Sequence, residues 1–97
     1  MPTYISLMKN TDQGIKDIKN APQRVEAAKK AIEARGGKLI GFYLVMGEYD
    51  YVAITESTSE ESAVTFLLGL GSAGNVRTTT LRAFTAEEFG QMVKKLP

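Results

Sequence analysis

Seven side chains carry most of the chemistry this sequence offers. They are the phenols of Tyr4, Tyr43 and Tyr51, the hydroxyl of Ser6, the carboxylates of Glu48 and Asp50, and the guanidinium of Arg82. Phenols donate hydrogen bonds and can serve as general acids, a guanidinium grips an anion through two parallel bonds, and carboxylates accept. Each also has a plainer use. Tyrosines fill amphipathic strand positions with the hydroxyl at the rim, arginine pairs with a nearby carboxylate, and Asp in a turn bonds backbone amides. The seven therefore stand as candidate ligand-binding residues, and no catalytic residue is assigned.

The chain contains no His and no Cys. That removes disulfides, Cys or His metal sites, and every nucleophilic triad or dyad built on an imidazole. Asp12, Asp17 and Asp50 lack the spacing of a carboxylate metal loop, so neither a metal nor a cofactor is expected. Twelve Lys and Arg against eleven Asp and Glu leave a formal charge of +1, which lacks the basic excess of a nucleic-acid protein or a polybasic membrane anchor. The longest apolar run, residues 42–46, is far too short to span a bilayer, and the start of the chain does not read as a secretory signal. A cytoplasmic protein is the expectation. Ninety-seven residues allow one domain, taken as 1–97.

The elements that must position these groups follow from periodicity and caps. Residues 3–9 alternate as a strand, and Thr11 to Ile18 reads as an ambiguous short turn of helix. A helix opens at Asn20-Ala21-Pro22, carries Val25, Ala28, Ala31 and Ile32 as its apolar stripe, and stops at Gly36-Gly37. Residues 38–46 and 49–56 make a hairpin around Gly47-Glu48. A second helix begins near residues 57–59, with Thr58 and Glu61 at capping-box spacing, and is apolar around more than half its circumference. It should be well buried or touch two surfaces. Residues 76–84 form a polar strand suited to a sheet edge, with Arg77 and Arg82 on opposite faces. Thr85 and Glu88 open a last helix bearing Phe89, Met92, Val93 and Leu96.

The order βαββαβ plus a trailing helix is that of an α+β, ferredoxin-like domain with a four-stranded antiparallel sheet and both main helices on one face. Around a two-residue turn at 47–48, residues whose numbers sum to 95 face each other. Tyr51 and Ala53 then lie beside Leu44 and Phe42, and Val52 and Ile54 beside Tyr43 and Gly41. Leu39, Tyr43 and Val45 share the opposite face from Ile40, Phe42, Leu44 and Met46. Both faces carry large apolar groups, and helices can cover only one. A second copy packed sheet on sheet is the expected cover, giving a homodimer or a multiple of dimers. Hydroxyls that fall between the sheets need partners, supplied either by structural hydrogen bonds or by a small-molecule pocket.

Gly47-Glu48-Tyr49-Asp50 ahead of Tyr51-Val52-Ala53-Ile54 resembles the signature of the GYD domain family. Pro2 to Leu7 with Thr11-Asp12-Gln13-Gly14 resembles that family's start, and Gly74 to Phe84 its last strand. The resemblance covers nearly the whole chain. It implies a ferredoxin-like fold of the dimeric α/β-barrel group and no particular reaction. The hairpin also resembles the effector domain of leucine-responsive/AsnC-type regulators, which bind small molecules between subunits, although there is no room here for their helix-turn-helix. The expectation is a homo-oligomeric small-molecule-binding or interaction domain with a pocket at the sheet face. A cofactor-independent monooxygenase- or isomerase-like enzyme and a purely structural assembly domain are the alternatives.

Overall fold

The protein is described by a computed structural model covering residues 1–97. Four strands, β1 (Thr3–Asn10), β2 (Lys38–Leu44), β3 (Tyr51–Glu56) and β4 (Val76–Ala83), form one antiparallel sheet in the order β2-β3-β1-β4. Helix α1 (Asp12–Lys16) and a 3-10 turn (Ile18–Asn20) lead into α2 (Ala21–Ala34). Helix α3 (Glu60–Ser72) joins β3 to β4, and α4 (Ala86–Val93) closes the chain. This is the expected ferredoxin-like arrangement, with the polar β4 at an edge.

The hairpin register is the one a two-residue turn dictates: Phe42 faces Ala53, Tyr43 faces Val52 and Leu44 faces Tyr51. Gly47 takes a positive φ of 106°, as such a turn requires. The strands are shorter than their apolar runs. β2 ends at Leu44, and Met46 is 98% exposed beside the turn. A β-bulge between Leu39 and Gly41 corrects the face assignment at the start of β2. Leu39 pairs with Thr55 and joins the side of Phe42, because the extra residue Ile40 shifts the alternation by one.

One face of the sheet holds Tyr4, Ser6, Met8, Phe42, Tyr51, Ala53, Val76 and Thr80, and this is the face that α2 and α3 cover. Met8, Tyr51, Ala53 and Val76 form the core cluster, with Leu39, Phe42 and Leu70 packed against it. Leucine-rich α3 departs from the simplest expectation, since Val64 and Leu68 stay exposed and none of its residues is fully buried. Its N-cap is Ser59, accepting from Ser62 N, one residue later than Thr58. Extended Ser59 precedes the first helical residue, so its side chain, not that of Thr58, reaches the free amides. Helix α4 has the predicted capping box: Thr85 Oγ1 accepts from Glu88 N, and Glu88 accepts from Thr85 N. The hydrogen bond from the Thr85 amide holds the Glu88 carboxyl below its usual 4.5. The contribution of the Glu88 carboxylate to the cap is therefore full above that pH and is lost as pH falls through the lowered value, while the Thr85 Oγ1 bond to Glu88 N stays.

Two distant segments are clasped together. Thr11 N donates to Asn75 O at 3.0 Å, Thr11 Oγ1 to Gly74 O at 2.5 Å, and Gln13 Nε2 to Ala73 O at 3.0 Å. A Cβ on buried Gly14 would lie 2.0 Å from Asn75 O, so only glycine lets α1 approach the start of β4. Gly14→Ala is expected to destabilise the fold by about 3 kcal/mol. Urea unfolding checks this, and a shift within error would show that α1 can move aside freely.

Candidate functional site

The residues beneath the helices do not fill the space between sheet and helices. Helix α2 presents Ala21, Ala27, Ala28 and Ala31 toward the gap, and side chains of that size cannot reach the strands. A cavity of about 390 Å³ results, bounded below by β1, β3 and β4 and above by Val25, Ile32, Phe66, Leu67 and Leu70. That volume lies in the roughly 300–1,000 Å³ range of small-molecule sites. Apolar groups make up most of the wall. Among the polar ones, the sheet contributes Tyr4, Ser6, Tyr51, Thr55 and Thr80, with Glu56 at the end of β3, and the helices and loops add Arg24, Arg35, Ser57, Ser62 and Asn75.

Tyr4, Ser6 and Tyr51 of the expected set thus meet on one wall. Ser6 Oγ and Thr80 Oγ1 are hydrogen-bonded at 2.9 Å across β1 and β4. Tyr51 donates its hydroxyl to Asn10 Oδ1 at 3.2 Å, and its ring packs against Phe42 with centroids 5.3 Å apart. Tyr4 is 8% exposed, and its hydroxyl is the one buried side-chain polar atom without a hydrogen-bond partner. Thr80, a member of this polar wall, is not among the seven candidates read from sequence. Its pairing with Ser6 depends on strand order, which local pattern does not encode.

The other expected residues lie elsewhere. Arg82 shares the helix-side face but does not line the cavity. Its guanidinium stacks over Phe84 at 4.4 Å, sits 5.8 Å from the Tyr4 ring, and bonds the carbonyls of Thr3 and Ala83. Tyr43 is on the open face, where its ring lies across Gly41: a Cβ at Gly41 would come within 3.1 Å of it. Glu48 forms an exposed ion pair with Lys9 at 3.7 Å at the hairpin tip. Asp50 ties the hairpin to β1, with Oδ2 accepting from Asn10 N and its own amide donating to Met8 O, both at 2.8 Å. Asn10 is shared between Asp50 and Tyr51, so the end of the hairpin and the cavity wall belong to one network. No group of three or more His, Cys, Asp or Glu is gathered anywhere, and no helix is long and apolar enough to cross a membrane.

The opposite face of the sheet is uncovered. Ile5, Leu7, Val52 and Ile54 run down its two central strands, flanked by Tyr43 at 57% exposure and Leu81 at 48%. Helix α4 likewise leaves Phe89, Met92, Val93 and Leu96 exposed. The chain is correspondingly extended, 53 Å along its longest axis.

Comparison with known proteins places this geometry. The family model described as GYD domain matches residues 4–93. A Thermus thermophilus protein described as a glutamine synthetase and cystathionine beta-lyase binding protein is 33% identical over 84 residues, covering 86% of this chain and 88% of that one. A crystal structure from the same organism is similar at 30% identity and a TM-score of 0.56, over 89% of this chain and 96% of the other. A feast or famine regulatory protein from M. tuberculosis, complexed with L-methionine, matches at 21% identity and a TM-score of 0.66. It covers 89% of this chain, which spans about half (52%) of the regulator, and it shares the fold.

Asp50→Ala removes the carboxylate that caps Asn10 N and leaves that amide unpaired. A loss of about 2 kcal/mol is expected in chemical denaturation, whereas Glu48→Gln at the exposed tip should change stability by less than about 0.5 kcal/mol. Equal effects would contradict the structural role given to Asp50.

Proposed function

The chain belongs to the GYD domain family, and on that premise we propose that it is a cytoplasmic, homo-oligomeric binding domain, a dimer or a multiple of dimers, that takes a small-molecule ligand. The observation that carries this reading is the uncovered apolar sheet face. Isolated surface leucines mean little, but a continuous row on two central strands with no element above it is an interaction surface. A second copy fits it best, since a two-fold axis brings the same apolar row against itself.

The areas support the same partner. Four strands at ~4.8 Å spacing, with about seven residues at ~3.3 Å each, frame roughly 400 Å². A stable interface takes about 800 Å² from each partner. The sheet alone falls short, and the exposed apolar side of α4 can supply the rest. The Thermus relative is described by the enzymes it binds, which supports binding as the mode of action and makes a protein partner the second reading. The methionine-bound regulator is too distant in sequence to assign a ligand here.

Size-exclusion chromatography with light scattering tests the assembly. The wild type should run as a dimer or a multiple of dimers. Ile54→Lys, which places a charge in the centre of the face, should give a folded monomer. A wild-type monomer at micromolar concentration would refute the reading.

A further inference from the structure

The cavity under α2 and α3 lies on the opposite side of the sheet from the uncovered face, so one chain alone lines it, and it opens to solvent past the exposed Ala27 and Ala31. Its wall has an unusual balance. The apolar lining comes from both helices, while two hydroxyl protons on the sheet are unspent. One belongs to Tyr4, a residue of the wall whose buried hydroxyl has no partner within the chain and meets a ligand oxygen once the phenol shifts toward the cavity. The other belongs to the Ser6–Thr80 pair: whichever hydroxyl accepts in that bond keeps its own proton free. A buried donor without an acceptor costs stability until something pairs it.

Charge narrows the class further. Arg24 reaches the wall but is held by Asp17 at 2.6 Å. Arg35 and Glu56 stand at the ends of α2 and β3 and, being opposite in sign, add no net charge to the wall. An ion placed among the alanines and leucines would lose its water without gaining a counter-charge.

We propose that this cavity binds an uncharged, largely apolar small molecule carrying a carbonyl oxygen, which accepts a hydrogen bond from the Tyr4 hydroxyl. The proposal rests on reading the protein as a binding domain and names the ligand class of its site. Apolar surface supplies the affinity, and the hydroxyls fix which end of the molecule faces the sheet.

The test uses two probes of similar size, butylbenzene and its ketone analogue 1-phenylbutan-1-one, titrated into the intact protein and followed by calorimetry. The wild type should bind the ketone roughly five- to tenfold tighter than the hydrocarbon. Tyr4→Phe should remove most of that preference while keeping hydrocarbon binding. Ala28→Phe fills the space and should abolish binding of both; Ala63→Leu, a smaller filling on the other helix, serves if the first fails to fold. Absence of binding by either probe overturns the proposal, as does equal binding of both by the wild type, or binding that survives the filled cavity. Light scattering on the same samples reads the assembly separately, so loss of the pocket result leaves the dimer standing, and a monomer that binds the ketone would refute only the assembly.

Discussion

A four-stranded sheet has two faces, and a βαββαβ chain owns only two main helices, which right-handed crossovers place on the same side. The rest of this structure follows from that limit. Apolar residues on the covered side go toward a core, while those on the other side, Ile5, Leu7, Val52 and Ile54, have no cover within the chain. The covered side is itself only partly filled, because α2 is built from alanines where leucines would have reached the strands. The chain thus carries two different apolar surfaces, one flat and one concave. They suit different occupants: a flat sheet suits another sheet, and a small cavity suits a small molecule.

The segments that mark the family act mainly on architecture. Gly47 makes the turn, Asp50 fastens it to the end of β1, and Asn10 passes that restraint to Tyr51 on the cavity wall. Thr11, Gln13 and Gly14 close on residues 73–75, binding the end of β1 to the start of β4. Both fastenings grip β1, the strand that also carries Tyr4 and Ser6. A rigid β1 holds those two hydroxyls, one pleat repeat apart, at a fixed spacing.

Much of the fold was legible because the signals were local. The caps around α4, the glycines ending α2 and the Gly47-Glu48 turn each act within a few residues, and the turn alone fixed the register of Phe42, Tyr43 and Leu44 against β3. The bulge at Ile40 was not legible, since an extra residue in an apolar run leaves the pattern apolar, and it moved Leu39 to the other face. The candidate site was read in outline only. Tyr4, Ser6 and Tyr51 converge, but whether alternating residues meet helices or solvent depends on which face the crossovers cover. Tyr43 was separated from them by that same choice, whereas Arg82 stays on their face and is drawn off the cavity by the Phe84 ring and the carbonyls of Thr3 and Ala83. The pairing of Thr80 with Ser6 comes from strand order, a long-range property invisible to a window of sequence.

Isotope-filtered NMR on a mixture of labelled and unlabelled chains distinguishes an open face covered by a second copy from a helix-covered face that stays within one chain. Intermolecular contacts are expected at the methyl groups of Leu7, Val52 and Ile54, and none at Ile32 or Val25. Cross-chain contacts confined to α2 and α3, or no cross-chain contacts at all, would contradict a second copy on the open face.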